Sequence, residues 1–186
     1  MVVMKKLFNH FGFTIIELII IMAIMSILAA IVVPSFGVVQ RNRINSVSSQ
    51  IAMDINRVHT YARTHYNPIV GGDYEYKIVF SDPVTVNTKD YFTKYELCGP
   101  EVYEGTQPEI PAGVLIRPVM GHSTEILIKE IQFDEKGRVR IKDAAGSCYD
   151  WNAINSLIRI SVEIEDFDVK KEVLVNQLTA KTTITE

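Results

Sequence analysis

The chain has 186 residues and a formal net charge of −3 at pH 7, of which +1 lies on residues 1–36 and −4 on the remainder. About 150 residues follow position 36, which is enough for one globular domain with a real hydrophobic core. The acidic balance of that larger part disfavours a nucleic-acid-binding surface, and no internal repeat or low-complexity segment stands out.

A long apolar segment begins after Gly12. Polar residues occur at its head, at Thr14 and Glu17, and then only Ser26 interrupts the apolar run as far as Val33. As a helix, residues 13–36 would measure roughly 36 Å, more than the ~30 Å hydrocarbon core of a bilayer. We therefore predict a membrane span, with the two preceding lysines in the cytoplasm and the bulk of the chain exported.

Glu17 is the unusual residue of this segment, because a carboxylate near the centre of a membrane helix costs about 2.5–3.5 kcal/mol and somewhat less near the interface. Such a residue indicates a functional role with a cationic partner. Cleavage after Gly12 would create that cation as the new α-amino group of Phe13. The alternative is an ordinary signal anchor with Glu17 among the lipid headgroups.

The string Gly12-Phe13-Thr14-Ile15-Ile16-Glu17-Leu18, followed by an apolar helix with Pro34 near its end, resembles the type IV prepilin signature. Pilins, minor pilins and the pseudopilins of type II secretion share that signature. The resemblance implies cleavage between Gly12 and Phe13 by a prepilin peptidase, and then N-methylation of Phe13 by a methyltransferase. It further implies that Glu17 pairs with the Phe13 amine of a neighbouring subunit in a filament.

The first residues depart from the family pattern in one respect. Basic residues usually lie close to the cleavage glycine, whereas here five residues separate Lys5 and Lys6 from Gly12. The start of translation also stays open, because Met4 followed by the two lysines resembles a more usual beginning than Met1 does.

A helical period resumes after Pro34, which is expected to kink the long helix or to end its first half. One apolar stripe recurs at intervals of three and four residues, and its members are Ile44, Val47, Ile51, Ile55, Val58 and Ala62. Residues between them, among them Ser48, make the opposite face polar, and Asn67-Pro68 stops the helix. We predict one helix from about Phe13 to Tyr66, with its first half in lipid and its second half docked on a domain.

Short β-like runs follow Gly71-Gly72, and they lie at 74–80, 84–86, 91–97, 114–120, 125–133, 138–141, 156–164 and 172–185. Pro118 argues for an edge strand. Asp134-Glu135-Lys136-Gly137 and Asp166-Phe167-Asp168 predict hairpin turns, whereas 101–111 is predicted to be a loop. The predicted fold is α+β and pilin-like, with a long N-terminal helix packed on a mostly antiparallel β domain.

Four segments follow from this interpretation. We predict a leader peptide at 1–12, a transmembrane and assembly helix at 13–36, an amphipathic continuation of that helix at 37–67, and a periplasmic β-rich domain at 68–186.

Cys98 and Cys148 both lie on the predicted exported side. In an oxidising periplasm they are expected to form a disulfide that closes a loop of some fifty residues, with a chain-entropy benefit on the order of 4 kcal/mol. Two separate buried thiols are the alternative. Their spacing does not suggest metal ligands.

No motif indicates an enzyme, a cofactor or a metal site. The chain lacks a phosphate loop, a nucleophile elbow, a C-x-x-C pair and an H-E-x-x-H motif. His59 and His65 are six residues apart, about 240° around a helix, and so cannot share one metal ion. We therefore predict no catalysis, except that the chain is the substrate of its processing enzymes.

A basic stripe consisting of Lys136, Arg138, Arg140 and Lys142 alternates along one predicted strand and therefore points to one side of a sheet. Such a stripe favours protection of a sheet edge against aggregation. Contact with nucleic acid is the alternative, and the negative charge of the exported part and the lack of stacking aromatic residues disfavour it.

Two further segments carry a finer resemblance. Residues 133–139 resemble the hairpin of H-type pseudopilins and FimT-like minor pilins, and residues 54–63 resemble their helix. Cys148 lies well before the C-terminus, unlike the disulfide loop of major pilins. The resemblance implies a minor pseudopilin at the pseudopilus tip of type II secretion, or alternatively a FimT-like minor pilin for pilus biogenesis or DNA uptake.

This resemblance also implies the surroundings of the protein. It implies a single pass through the bacterial inner membrane, with the globular domain in the periplasm. The expected partners are other subunits, the prepilin peptidase and an inner-membrane assembly platform, and no cofactor is expected.

Overall fold

The computed structural model describes residues 13–65, 76–99, 107–121, 125–150, 157–165, 167–176 and 179–185, without the side chains of 31–36 and 168. Within these ranges one long helix precedes nine strands, which are α1 (Ile15–Thr64), β1 (Tyr76–Val86), β2 (Lys89–Cys98), β3 (Val114–Met120), β4 (Ile126–Phe133), β5 (Val139–Asp143), β6 (Cys148–Tyr149), β7 (Ile158–Ile164), β8 (Phe167–Val175) and β9 (Thr182–Thr185). The chain divides into two compact units between Val39 and Gln40.

Helix α1 confirms the predicted long helix and its apolar stripe. All six predicted stripe residues are at most 2% exposed. Ser48 is fully buried as well, so its assignment to the polar face was wrong: it follows Val47 at the border of the stripe, where a small side chain fits against the core. The helix also continues through Pro34, so the alternative in which its first half ends there was wrong.

In the first unit, the helix carries a dense set of exposed apolar side chains. They are between 46% and 83% exposed, and they are Ile15, Ile16, Leu18, Ile19, Ile20, Ile21, Met22, Ile24, Met25, Ile27 and Leu28. So large an apolar surface marks a site of contact with a membrane or with other proteins. Among the described residues, no helix has the apolar length that a membrane crossing requires.

In the second unit, the strands form one sheet in the order β6-β5-β4-β1-β2-β3-β7-β8-β9, and each described pairing is antiparallel. Strand β4 has two partners on the same side. Its later residues pair with β1, as Val79 does with Glu130, and its first residues pair with β3, as Met120 does with Ile126. The sheet is therefore forked, with the β1–β2 hairpin between β4 and β3.

The part of α1 that belongs to the second unit packs on this sheet. Its buried stripe joins buried residues from β1, β2, β3, β4, β5, β7 and β8 in one hydrophobic core. Polar contacts fix the helix in place: the Tyr95 hydroxyl donates to Asp54 Oδ2 at 2.7 Å, and Asn56 Nδ2 donates to Thr182 Oγ1 at 2.9 Å. The predicted α+β class and the mainly antiparallel domain are confirmed.

The prediction that Pro118 marks a sheet edge was wrong, because β3 lies inside the sheet and pairs with β7 along its length. On its other side the partner changes at this proline: Ile116 pairs with β2 and Val119 pairs with β4. Pro118 thus lies at the fork, where a missing backbone donor removes the least pairing.

The remaining strand boundaries were predicted with mixed success. The runs at 114–120, 125–133 and 156–164 correspond to β3, β4 and β7 within two residues. The weak run at 84–86 belongs to β1, the run at 172–185 contains β9 and only the end of β8, and the short β6 was not predicted. Residues 67–68 and 71–72 lie outside the described ranges.

Candidate assembly site

The first turn of α1 is closed by a reciprocal pair of side chains. The Glu17 backbone N–H donates to Thr14 Oγ1 at 3.3 Å, and Glu17 Oε2 accepts from the Thr14 backbone N–H at 3.2 Å. Thr14 Oγ1 also donates to Glu17 Oε2 at 3.2 Å. This arrangement is a capping box, in which an N-cap threonine and a glutamate three residues later satisfy two otherwise unpaired backbone donors.

The capping box occupies only one oxygen of Glu17. Oε2 accepts both hydrogen bonds from Thr14, whereas Oε1 has no partner among the described residues. The negative charge lies in the first turn of the helix, where the helix dipole favours an anion. Glu17 therefore keeps one exposed acceptor oxygen, and the side chain of Phe13, four residues before it, is 72% exposed. Gly12 lies outside the described residues.

At the other end of α1, the predicted β4–β5 hairpin turn contacts the helix. Asp134 organises the turn, since its Oδ1 accepts from the backbone N–H groups of Lys136 and Arg138 at 3.0 and 2.7 Å. Gly137 has a φ of +75°, as the predicted turn requires. A side chain there would collide with the His59 ring and would lie 2.8 Å from Arg63 Cδ, so the turn depends on glycine both for its conformation and for space.

His59 is the helix residue most affected by this contact. Its ring centroid lies 5.9 Å from that of Phe133. Burial and the neighbouring Arg63 lower the pKa of His59, although a hydrogen bond with the Gly137 backbone opposes them. His65 instead stacks on Tyr61 at 4.8 Å between ring centroids. The two histidines thus have separate neighbours and separate environments.

Three of the four residues of the predicted basic stripe are paired with carboxylates. Arg138 Nε lies 2.5 Å from Asp134 Oδ2, Arg140 Nε lies 2.5 Å from Asp150 Oδ1, and Lys142 Nζ lies 3.4 Å from Glu130 Oε1. Lys136 is exposed in the turn before β5, whereas Arg140 and Lys142 alternate with buried residues of that strand as predicted. The stripe is therefore part of a mixed-charge face.

Cys98 and Cys148 are both free, so the structure does not contain the predicted disulfide. Cys98 ends β2 and Cys148 begins β6, and three strands lie between those two in the sheet. Four strand spacings amount to on the order of 19 Å, whereas a disulfide needs Cα atoms within about 7 Å. The spacing along the chain gave no information on this strand order.

Thr14 is the residue of this site to which sequence reasoning gave no role. Its signal was present, because a threonine followed three residues later by a glutamate before an apolar run is the sequence pattern of a capping box. The contacts of Asp54 with Tyr95 and of Gly137 with His59 had no such local signal, since they join distant segments.

Comparison with known families agrees with the N-terminal part of this description. Residues 7–33 match the family model described as the prokaryotic N-terminal methylation motif. Neither the comparison with curated proteins nor that with solved structures found a match. The matched region includes Gly12, Phe13, Thr14 and Glu17. The N-terminal segment of this chain is therefore that of the type IV prepilin-like superfamily.

Proposed function

We propose that this chain is a subunit of a type IV pilin-like filament, cut between Gly12 and Phe13, methylated on the new amine of Phe13, and assembled through Glu17. The methylation motif supports processing at these positions. In this proposal the prepilin peptidase cleaves the chain after Gly12. The chain is thus a substrate of its modifying enzymes and has no catalytic role of its own.

The observation that carries the proposal is the carboxylate of Glu17, of which only one oxygen is hydrogen-bonded among the described residues. One oxygen closes the first helical turn, and the other has no partner among the described residues. An unpaired carboxylate is costly among apolar side chains, and the ammonium group of a processed Phe13 from a neighbouring subunit would neutralise it. Helices in lipid are not driven together by the hydrophobic effect, because lipid tails are as apolar as the side chains. A charge pair between two helices can therefore determine how they align along their length.

We further propose that residues 13–36 anchor the protein in the bacterial inner membrane before assembly, with residues 68–186 as its periplasmic domain. The exposed apolar side chains of the described part of this segment support a lipid or helix environment. Lys5 and Lys6 precede the segment and favour a cytoplasmic N-terminus. Pro34 would supply a kink within that anchor.

The experiment separates capping from charge pairing with two substitutions of the same residue. Glu17→Gln keeps an acceptor for the capping box and removes the charge, whereas Glu17→Leu removes both. We expect both variants to insert in the membrane and both to lose at least tenfold in co-purification with the other filament subunits, measured by immunoblot against the wild type.

The outcomes distinguish the alternatives clearly. If Glu17→Gln enters filaments as well as the wild type does, Glu17 acts only as a cap and the charge pair is refuted. Processing is read by mass spectrometry of the purified protein, whose N-terminus should be a methylated Phe13. In Gly12→Ala we expect an uncut precursor, and a mature protein that retains residues 1–12 in the wild type would contradict the proposal.

Among the filament systems, we propose a minor pseudopilin of type II secretion that works with other pseudopilins and the inner-membrane assembly platform at the pseudopilus tip. The Gly137 hairpin and residues 54–63 resemble H-type pseudopilins and FimT-like minor pilins alike, so this resemblance does not choose between the two. A FimT-like minor pilin that contacts DNA is the second candidate, and the paired charges of the basic stripe disfavour it. Co-purification with secretion subunits, against co-purification with pilus subunits, decides between them.

A further inference from the structure

Two arginines follow the apolar segment of α1. Arg41 and Arg43 are exposed, and neither forms an ion pair in the described part of the chain. No acidic residue lies between Glu17 and Asp54, so neither arginine has a carboxylate close to it along the helix. The four arginines of the strands and of the β4–β5 turn differ in this respect, because each pairs with a carboxylate, and they are Arg117, Arg138, Arg140 and Arg159. The charges of Arg41 and Arg43 are therefore available to a partner outside the chain.

Arg41 and Arg43 lie on different sides of the helix. Residues two positions apart are separated by about 200° around the axis of an α-helix. Ile44, the next residue, is fully buried in the core of the second unit, so the two arginines border the buried stripe on opposite sides. One flat protein surface could not contact both of them. The headgroup layer of a bilayer could, because it surrounds a helix that emerges from the membrane.

The position of the two arginines along the helix also fits a headgroup layer. At 1.5 Å per residue, a straight helix would place Arg41 and Arg43 roughly 42 and 45 Å from Phe13. A bilayer measures about 40–45 Å when both headgroup layers are included. With Phe13 at the cytoplasmic surface, the arginines would therefore reach the opposite headgroups. Val38 and Val39, directly before them, are still apolar and are 59% and 48% exposed, as residues next to lipid are.

We propose that Arg41 and Arg43 bind the phosphates of anionic phospholipids in the periplasmic leaflet of the inner membrane before assembly. A guanidinium group donates two parallel hydrogen bonds to a phosphate, and an anionic surface attracts each nearby cation. Because an arginine enters the hydrocarbon core only at a high free-energy cost, the pair also keeps the bond between Gly12 and Phe13 at the cytoplasmic surface. This contact rests on the proposed membrane anchor at 13–36.

The test uses the full-length chain, one copy per nanodisc, in phosphatidylcholine with about 10% phosphatidylglycerol as the anionic lipid. A photoreactive amino acid replaces Asn42, which is exposed between the two arginines, and intact-mass measurement identifies the captured lipid. We expect phosphatidylglycerol to be captured roughly fivefold more often than its share of the bilayer, the preference that one arginine confers at an anionic surface. Arg41→Gln with Arg43→Gln should reduce its capture to that share.

Two further pairs of substitutions serve as controls. Arg41→Lys with Arg43→Lys should keep most of the preference, because an ammonium group also binds phosphate. Lys129→Gln with Lys181→Gln removes two positive charges from exposed lysines that form no ion pair in the described ranges, and it should leave the preference unchanged. Equal loss in either control, or capture in proportion to supply in the wild type, would overturn the lipid contact. Cross-links from Asn42 that are confined to a protein in native membranes would also overturn it.

Failure of this contact and failure of the proposed function give different results. If Asn42 captures both lipids in proportion to supply, residues 13–36 still anchor the chain and only the contact with phosphate falls. If Asn42 captures no lipid, the proposed depth of the anchor falls as well. Assembly is read separately from the co-purification of Glu17→Gln, and processing is read from the N-terminus at Phe13, so neither result depends on the type of lipid.

Discussion

At the scale of single residues, Thr14 has a role that can be separated from that of Glu17. Thr14→Ala removes the side-chain acceptor of the Glu17 N–H, which costs about 1 kcal/mol at a helix N-cap, whereas Thr14→Ser retains it. We expect amide hydrogen exchange at Glu17 and Leu18 of the detergent-solubilised protein to accelerate roughly fivefold in the alanine variant only, because their N–H groups donate to the side chain and the carbonyl of Thr14. Equal exchange in the two variants would show that the cap does not stabilise the first turn.

Asp54 is a second residue with a measurable effect, because burial raises its pKa despite the hydrogen bond from Tyr95 and the charge of Arg57. A carboxyl group with a raised pKa binds its proton more tightly in the folded state than in the unfolded state. Its contribution to stability is therefore present below the ordinary value of 3.8 and is lost as the pH rises through the folded pKa.

This reasoning predicts that Asp54→Asn unfolds at a higher urea concentration than the wild type at pH 7, since asparagine keeps an acceptor for Tyr95 without the buried charge. The difference between the two midpoints should shrink as the pH is lowered towards 3.8. A less stable Asp54→Asn at pH 7 would mean that the charged hydrogen bond outweighs the cost of burial.

At the scale of elements, the predictable features are those with a local signal. The apolar stripe of α1 recurs every three or four residues, and the helix confirms it because one face must be buried whatever lies opposite. The turn at Gly137 was equally local. The fork at Pro118 had no local signal. A proline inside an apolar run shows only that the strand lacks one backbone N–H donor, and it does not show which neighbouring strand would otherwise accept that hydrogen bond.

The docking of the β4–β5 hairpin on α1 predicts a large effect of Gly137→Ala. Alanine at a φ of +75° costs about 1–2 kcal/mol, and its Cβ would also press on His59 and Arg63. The matched control is Gly113→Ala, because Gly113 has a φ of +83° and open space around it. We expect both variants to lower the urea midpoint and Gly137→Ala to lower it more. Equal losses would show that the hairpin does not press on the helix.

At the scale of the whole molecule, the order of the strands determines whether two distant residues can meet, which their spacing along the chain does not determine. Two cysteines fifty residues apart are compatible with a disulfide in many folds, but β2 and β6 are on opposite sides of β1, β4 and β5. The same order brings Glu130 between Lys77 and Lys142, at 3.8 and 3.4 Å, and so neutralises part of the predicted basic stripe. Both outcomes depend on pairings between distant segments, which no local pattern specifies.

The strand order therefore predicts the chemistry of the two thiols. The full-length protein, exported and then denatured under non-reducing conditions, should take up two alkyl groups per chain without prior reduction. In the folded state Cys148, which is exposed, should react first, and Cys98 should react more slowly because burial raises its pKa and so lowers its thiolate fraction. Intact-mass measurement checks both results. A monomer that accepts no alkyl group until it is reduced would contain a Cys98–Cys148 bond, and the sheet order described above could not then be correct, because those two strands would have to be neighbours.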